Sequence, residues 1–310
     1  MAEVLVTGGA GFIGSHLVDA LLADGRTVVV LDDFSTGHAE NLPDHPGLRV
    51  VRGDVRDAAL LAELAEAHAF EEVHHLAAIA SVARSIEDPV ATLSVNTEGS
   101  VRLATWAARS LPGLKRFVFA SSAATYGSEV RVPTRESDPG RPDAPYGLEK
   151  ATVERYLELL ARTEGLPAVC ARFFNVYGPR QDPSSPYSGV LSIVTRALHD
   201  GRPFTVHGDG GQTRDFVYVA DVVAALTTLA RQPDAVGGTF NVGTGREASL
   251  LEVVDLLESV AGRELERTHG PPRAGDIRRS VADVTALRGL GWRPERSLRD
   301  GLTALWAATC

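Results

Sequence analysis

Through residue 175 the chain alternates between two hydrophobic patterns. Short runs of consecutive apolar residues fall at 3–7, 27–31, 48–52, 72–76, 115–120 and 167–173. Between them, at 12–24, 57–68, 89–110 and 146–163, apolar positions recur with helical period. Strands that are apolar on both faces and separated by helices predict an α/β chain with a doubly wound parallel sheet, covered on either side. Gly25 and Gly165 stand where helix C-terminal glycines are expected. Beyond 178 the pattern loosens into "GPRQDPSSPYSG", a loop by composition. Later helices are expected to start at Asp221, as an N-cap, and at Ser249, where Ser-Leu-Leu-Glu spells a capping box. Residues 1–178 are thus expected to form the sheet domain, with segments near 216–245 returning to it. Residues 179–310 form a smaller C-terminal substrate-binding domain.

Composition narrows the class of partner. The 310 residues are 44% hydrophobic, enough for a full core, and carry a formal charge of −9 without a long basic run. A nucleic acid or an anionic membrane is therefore not the expected partner. Cys170 and Cys310 are far apart and match neither a zinc nor a disulfide framework; Cys170, in "PAVCARFF", reads as a buried strand residue. With neither a leader pattern nor a long apolar stretch in the chain, the expected location is the cytoplasm, with reduced thiols.

"VLVTGGAGFIGSHL" follows the first strand and opens a helix, with Gly8, Gly11 and Gly14 in GxxGxxG spacing. Glycine permits the tight turn and the close approach of a pyrophosphate, whose charge then faces helix N-terminal amides. A glycine turn made only for packing is the alternative. Asp32, 18 residues beyond Gly14 at the end of the second strand, strengthens the dinucleotide reading, because a carboxylate there binds ribose hydroxyls and repels a 2′-phosphate. NAD is expected over NADP, and the sheet domain becomes Rossmann-type. Ser35, Thr36 and Gly37 offer further polar contacts. Asp54 is either an adenine contact or the cap of the helix at 57–68.

Tyr146 and Lys150, four residues apart, share a helix face. Only two of the 31 basic residues, Lys115 and Lys150, are lysines. Upstream, Ser121 and Ser122 end a strand, where α/β folds place ligands. A hydride leaves a sugar carbon only if its hydroxyl loses a proton, and Tyr is a suitable base only if its pKa falls toward neutrality. Three pH units correspond to roughly 4 kcal/mol. The ammonium of Lys150 and the positive nicotinamide ring are the expected source of that field, with Ser122 sharing the proton. The bland alternative is an exposed aromatic–lysine pair.

These residues together resemble the extended short-chain dehydrogenase/reductase family, and within it the nucleotide-sugar epimerases of the UDP-glucose/UDP-N-acetylglucosamine 4-epimerase type. "TGGAGFIGSHL", "HLAAIASVARS", "SSAATYG", "YGLEK", "RFFNVYGPRQDP", "DGGQTRDFVYVAD" and "RAGDIRRSVAD" fall in that family's order over nearly the whole chain. The resemblance implies Tyr146 as base, Ser122 as its partner and Lys150 as the ribose-binding cation. It implies a cofactor set of Gly8, Gly11, Phe12, Ile13, Gly14, Asp32, Asp33, Ser35, Thr36, Gly37, Asp54, Val55, Leu76, Ala77, Ala78, Asn96, Ala120, Phe173 and Val176, together with Tyr146 and Lys150. The substrate set it implies is Ser81, Ser122, Tyr146, Asn175, Val190, Thr205, Val206, His207, Arg214, Arg273, Asp276 and Ser280. His207 departs from a position that is usually aromatic. No metal is expected; His74 and His75 end an apolar strand and read as structural. Homodimers pairing helices near 89–110 and 146–163 are the family's usual assembly.

Within the family, a 4,6-dehydratase carries Asp-Glu directly after its Ser/Thr, where this chain has Ala123 and Ala124. A decarboxylase or UDP-glucuronate epimerase usually carries Thr in place of Asn175. Both departures favour epimerisation of a UDP-hexose over these alternatives, and the Tyr–Lys pair speaks against a non-catalytic NAD sensor. A large Tyr at the position of Ser280 would restrict the sugar to glucose and galactose; Ser280 leaves room for an N-acetyl group.

Overall fold

The computed structural model describes residues 3–181, 189–272 and 277–309. In chain order, β1 (Glu3–Thr7), α1 (Phe12–Ala23), β2 (Thr27–Asp32), β3 (Leu48–Arg52), α2 (Ala58–Ala67) and β4 (Phe70–His75) form the first half of the sheet domain. There follow α3 (Val82–Glu87), α4 (Pro89–Leu93), α5 (Ser100–Ser110), β5 (Arg116–Ser122), α6 (Pro145–Glu164), β6 (Ala168–Phe173) and β7 (Asn175–Tyr177). The rest comprises α7 (Val190–Asp200), β8 (Phe204–His207), β9 (Thr213–Arg214), β10 (Phe216–Tyr218), α8 (Val219–Arg231), β11 (Thr239–Val242), β12 (Ala248–Ser249), α9 (Leu250–Ala261), β13 (Arg267–Gly270), β14 (Arg279–Ser280), α10 (Thr285–Gly289) and α11 (Leu298–Thr309).

Seven parallel strands make the central sheet in the order β11-β6-β5-β4-β1-β2-β3. The order reverses between β1 and β4, so a crevice opens at their C-terminal ends, where α/β sheets bind ligands. Val4, Val6, Val28 and Val30 pack toward α1 and α8, whereas Leu5, Val29, Leu31 and Val73 pack toward α2, α5 and α6. Burial on both faces accounts for the unbroken apolar runs. A third core, built on Val194, Val206, Val253, Leu257 and Leu302, joins α7, α9 and α11 to β8.

Three expectations need correction. The helical segment at 89–110 is α4 and α5 joined by a π-helical stretch over Ser94–Gly99. Asp221 is not an N-cap: α8 starts at Val219 after Tyr218, and the Asp221 carboxylate accepts the Glu295 and Arg296 amides at 2.9 and 3.2 Å. Asp54 does not cap α2 either, because Asp57 does, accepting from the Ala59 and Leu60 amides. The capping box at Ser249 is present, with both reciprocal bonds to Glu252.

Candidate active site

The glycine loop is shaped by backbone contact. Gly8 holds φ at 71°, and a Cβ there would lie 2.6 Å from the Ala77 nitrogen. A Cβ on Gly14 would lie 2.1 Å from the Gly8 carbonyl oxygen. Gly11 is freer: its Cβ would meet only that same oxygen, at 3.3 Å, and it caps α1 without a side-chain hydrogen bond. Gly8 and Gly14 therefore close the loop, and Gly11, Phe12 and Ile13 present the N-terminal backbone of α1 over it.

Asp32 is buried where β2 ends, and each of its oxygens accepts a backbone N–H, from Ala10 and from Phe34, at 2.8 Å. Burial raises its pKa, and the two amides oppose the rise. Phe34 stands in the left-handed region, at φ 59°. The carboxylate thus ties the glycine loop to the β2 turn and keeps unused lone pairs for hydroxyl donors. Asp33 accepts both the Ser35 amide and hydroxyl, which fixes an exposed turn containing Thr36; Gly37 packs under Ala10. Asp54 is gripped by Arg56 through its backbone, Nε and Nη2, and that contact lowers its pKa. Val55 is buried beside Gly99.

Leu76, Ala77 and Ala78 continue β4 past the switch point, with the Leu76 amide donating to Thr7 O at 3.0 Å. Asn96, in the π-helical stretch, is fully buried. Its Nδ2 donates to Ile79 O (3.1 Å) and Glu149 Oε2 (2.7 Å), and its Oδ1 accepts the Ile79 amide at 2.8 Å. Both amide hydrogens are taken, so Asn96 shapes the 77–80 loop and has none to give a ligand. His75 is also buried and structural: its ring bonds to Thr7 Oγ1 at 2.7 Å and Ser100 Oγ at 2.8 Å, and burial depresses its pKa to about 3.

The catalytic candidates come together at the end of β5. Pro145 opens α6, and the Tyr146 amide donates to the buried Ser85 hydroxyl at 3.1 Å. Lys150 is 3% exposed. Its Nζ donates to Ala120 O at 2.8 Å and lies 4.7 Å from the Phe119 ring centroid and 5.8 Å from that of Tyr146. Ser122 accepts the Ala124 amide and hydrogen-bonds to Tyr146. The expected electrostatics are corrected here. Burial pushes Tyr146 up to about 12, Ser122 pulls it down and Glu149 adds to the rise. Lys150 is not the source of the downward pull; burial lowers its own pKa to about 8.

A cavity of about 210 Å³ adjoins this group and is lined by Ser122, Phe173, Asn175, Arg214 and Ser280 among others. The Arg214 Nη1 donates to the Thr213 and Ile277 carbonyls, and Asn175 donates its backbone amide to Asp215 O at 3.0 Å. Ser81 caps α3 and Val176 lies in β7, both apart from the residues lining the cavity. Val190, Thr205, Val206 and His207 likewise do not line it. Val206 is fully buried in the third core, so only its backbone is available, and His207 Nδ1 lies 3.2 Å from Pro271 O. Arg273 and Asp276 lie outside the described residues.

Sequence reasoning missed Glu149, Tyr126 and Asp215. Tyr126 lines the cavity, donates to Asn241 Oδ1 at 2.6 Å and lies under the Arg172 guanidinium. Asp215 is wholly buried and accepts the Thr244, Gly245 and Ala282 amides, locking the backbone next to Arg214. The sequence signal for Asp215 was its place directly after Arg214 in "TRDF".

A glycine loop at the switch point of a parallel sheet, with a Ser–Tyr–Lys set of which Ser122 lines a neighbouring cavity while Tyr146 and Lys150 stand behind it, defines a dinucleotide-dependent enzyme of the short-chain dehydrogenase type. The chain belongs to the NAD dependent epimerase/dehydratase family, whose model matches residues 4–243. It is 45% identical over 305 residues to a UDP-glucose 4-epimerase of Mycolicibacterium smegmatis, covering 97% of this chain and 96% of that one. Its fold matches the UDP-glucose 4-epimerase of Thermotoga maritima, solved with UDP-glucose, at a TM-score of 0.94 and 39% identity over 99% of this chain and 98% of that one. A UDP-N-acetylglucosamine 4-epimerase of Methanobrevibacter ruminantium M1, solved with UDP-N-acetylmuramic acid, also gives 0.94, at 34% identity over 100% and 99% of the two chains. Among the described residues no helix is long and apolar enough to cross a membrane.

Proposed function

We propose that the protein is an isomerase, an NAD-dependent 4-epimerase of UDP-hexoses acting through a transient 4-keto sugar. The observation that carries this reading is the Ser122–Tyr146–Lys150 group beside a cavity whose neighbouring wall, Ala123 and Ala124, has no titratable side chain. A 4,6-dehydratase needs an acid and a base at those two positions. The loop glycines, whose added Cβ atoms would strike backbone, and the inward carboxylate of Asp32 fit NAD. That group, when bound, supplies a positively charged ring that accepts and returns the C4 hydride. Tyr146 Oη takes the proton of the C4 hydroxyl and gives it back after the keto sugar turns over. Ser122 steadies the phenol oxygen as the proton moves. The Lys150 ammonium, anchored by Ala120 O, supplies a fixed cation on the ribose side of the phenol. Arg214, held by two carbonyls, meets the diphosphate, with Arg273 and Asp276 as its partners in substrate binding. Asn175 holds a diphosphate or hexose oxygen.

Ser280, on the cavity wall, leaves space for a 2-N-acetyl group, so both UDP-glucose/UDP-galactose and their N-acetyl counterparts are proposed substrates. The test is to incubate the purified protein with UDP-galactose and resolve the products. Formation of UDP-glucose without added oxidant supports the reading, and its loss by at least about 100-fold in Tyr146→Phe supports the base. A Tyr146→Phe protein of full activity would overturn the assignment.

The proposed assembly is a homodimer. An apolar groove of about 510 Å³ lined by Leu93 of α4, Val101 of α5 and Tyr156 of α6 runs across these helices, and Val90 of α4 and Leu148 and Leu159 of α6 are exposed as well. Sedimentation of the wild type and of Val90→Glu tests this: a monomeric wild type would exclude it. Cys170, buried in β6, is consistent with the proposed cytoplasmic setting.

A further inference from the structure

Glu149 precedes Lys150 and is 3% exposed, a buried carboxylate on the catalytic helix. Its two oxygens are used separately. Oε1 accepts the Thr92 hydroxyl of α4 at 2.7 Å, and Oε2 accepts Asn96 Nδ2 at 2.7 Å. Asn96 in turn holds both the amide and the carbonyl of Ile79. One carboxylate therefore joins α4, the π-helical stretch and the 77–80 loop to the helix bearing Tyr146 and Lys150. Two neutral donors on two separate oxygens are the pattern of an ionised group.

The surroundings give that charge a task. Lys150 is buried against the Phe119 and Tyr146 rings with a carbonyl as its hydrogen-bond acceptor, an environment that favours the neutral amine. Glu149 and Glu154 both oppose the loss of its proton. Glu154 is already engaged by Arg172 of β6 at 2.6 Å and by the Ser121 hydroxyl at 2.6 Å. The other titratable groups on elements packed against α6 lie elsewhere or are neutral. His75 of β4 is neutral, Arg84 of α3 faces Glu87 and Asp88, Glu98 of the π-helical stretch faces Arg102 of α5, Arg109 of α5 faces Glu164, and Arg116 of β5 donates to the Ala230 and Gln232 carbonyls. That leaves Glu149 as the carboxylate beside Lys150 that has no cationic hydrogen-bond partner among the described residues.

We propose that Glu149 is a positioning residue for the Tyr146–Lys150 pair: its carboxylate keeps Lys150 an ammonium and pins Asn96, and through it the Ile79 loop, to the catalytic helix. The role rests on the epimerase reading, but its test does not require turnover. With only Lys115 and Lys150 in the chain, a sample labelled with carbon-13 lysine gives two side-chain signals, assigned by Lys115→Arg. In wild type the Lys150 signal should titrate near 8. Glu149→Gln keeps both contacts, since the Thr92 hydroxyl can turn and accept, but removes the charge. The Lys150 midpoint should fall by about one pH unit or more, with both limbs of the kcat/KM profile moving to lower pH, while Thr92→Val leaves the midpoint in place. Glu149→Asp keeps the charge on a shorter arm. It should lose the Asn96 contact and at least half of the NAD that the purified protein retains, with Lys150 still titrating near 8. A Lys150 midpoint not lowered in Glu149→Gln overturns the electrostatic role, and wild-type NAD retention in Glu149→Asp overturns the pinning role. Should Glu149→Gln fail to fold, the Glu149→Asp pair of readings decides. A wild type inert toward every UDP-hexose would sink the epimerase reading and leave the titration valid.

Discussion

Replacing Gly14 by alanine would add one methyl group where the structure has no place for it. The new carbon would stand 2.1 Å from the Gly8 oxygen, 2.8 Å from the Gly9 Cα and 2.9 Å from the Gly8 carbonyl carbon. All three are backbone atoms of the loop itself, so no rotamer change can relieve them. Reaching an ordinary contact of about 3.5 Å requires α1 and the loop to part by more than 1 Å. Core overpacking of this kind costs about 1–3 kcal/mol, which for a chain of this size lowers Tm by roughly 2–5 °C. The same displacement pulls the N-terminus of α1 off the cofactor's phosphates. Gly11→Ala is the matched control, since its carbon would meet one oxygen at 3.3 Å. It should stay within about 2 °C of wild type and lose NAD without losing the fold. The assay is paired: thermal unfolding, and NAD released on denaturing the purified protein. A Gly14→Ala protein with wild-type Tm and wild-type NAD content would refute the packing argument.

Two further substitutions test the site. Ser280→Tyr, on the cavity wall, should cut kcat/KM for the UDP-N-acetylhexoses at least about 10-fold while leaving UDP-galactose within about 3-fold, a split set by pocket volume; equal loss on both would contradict the gatekeeper role. Lys150→Arg places a wide, permanently charged fork where a compact ammonium meets Ala120 O at 2.8 Å. Its kcat should fall at least about 100-fold with the far-ultraviolet circular dichroism unchanged, and near wild-type turnover would mean that the lysine has no special task.

The sheet was legible because parallel strands buried on both faces are written as unbroken apolar runs, from Val4–Val6 to Val169–Ala171. Tyr146 and Lys150 were legible because a helix brings positions four apart onto one face. Other features lie outside local pattern. Periodicity cannot separate an α-helix from the π-helical stretch at Ser94–Gly99, yet that stretch carries the buried Asn96. Glu149 looks like any helical glutamate until α4 and the π-helical stretch close over it. Asp221 and Asp54 are acids near helix starts, and their true partners, Glu295–Arg296 and Arg56, depend on tertiary placement and on a turn. The charge logic was also incomplete. Proximity of Lys150 suggested a lowered tyrosine pKa, whereas burial of the phenol raises it and the opposing pull comes from Ser122.

The central claim is that the C4 centre is inverted by removal and return of its own hydrogen, with Tyr146 handling only the hydroxyl proton. UDP-galactose carrying deuterium at C4 tests this most directly, with the product sugar read by NMR in ordinary water. The account predicts UDP-glucose with the deuterium retained at C4 and none exchanged with solvent. Product bearing solvent hydrogen at C4, or no product at all, would contradict it.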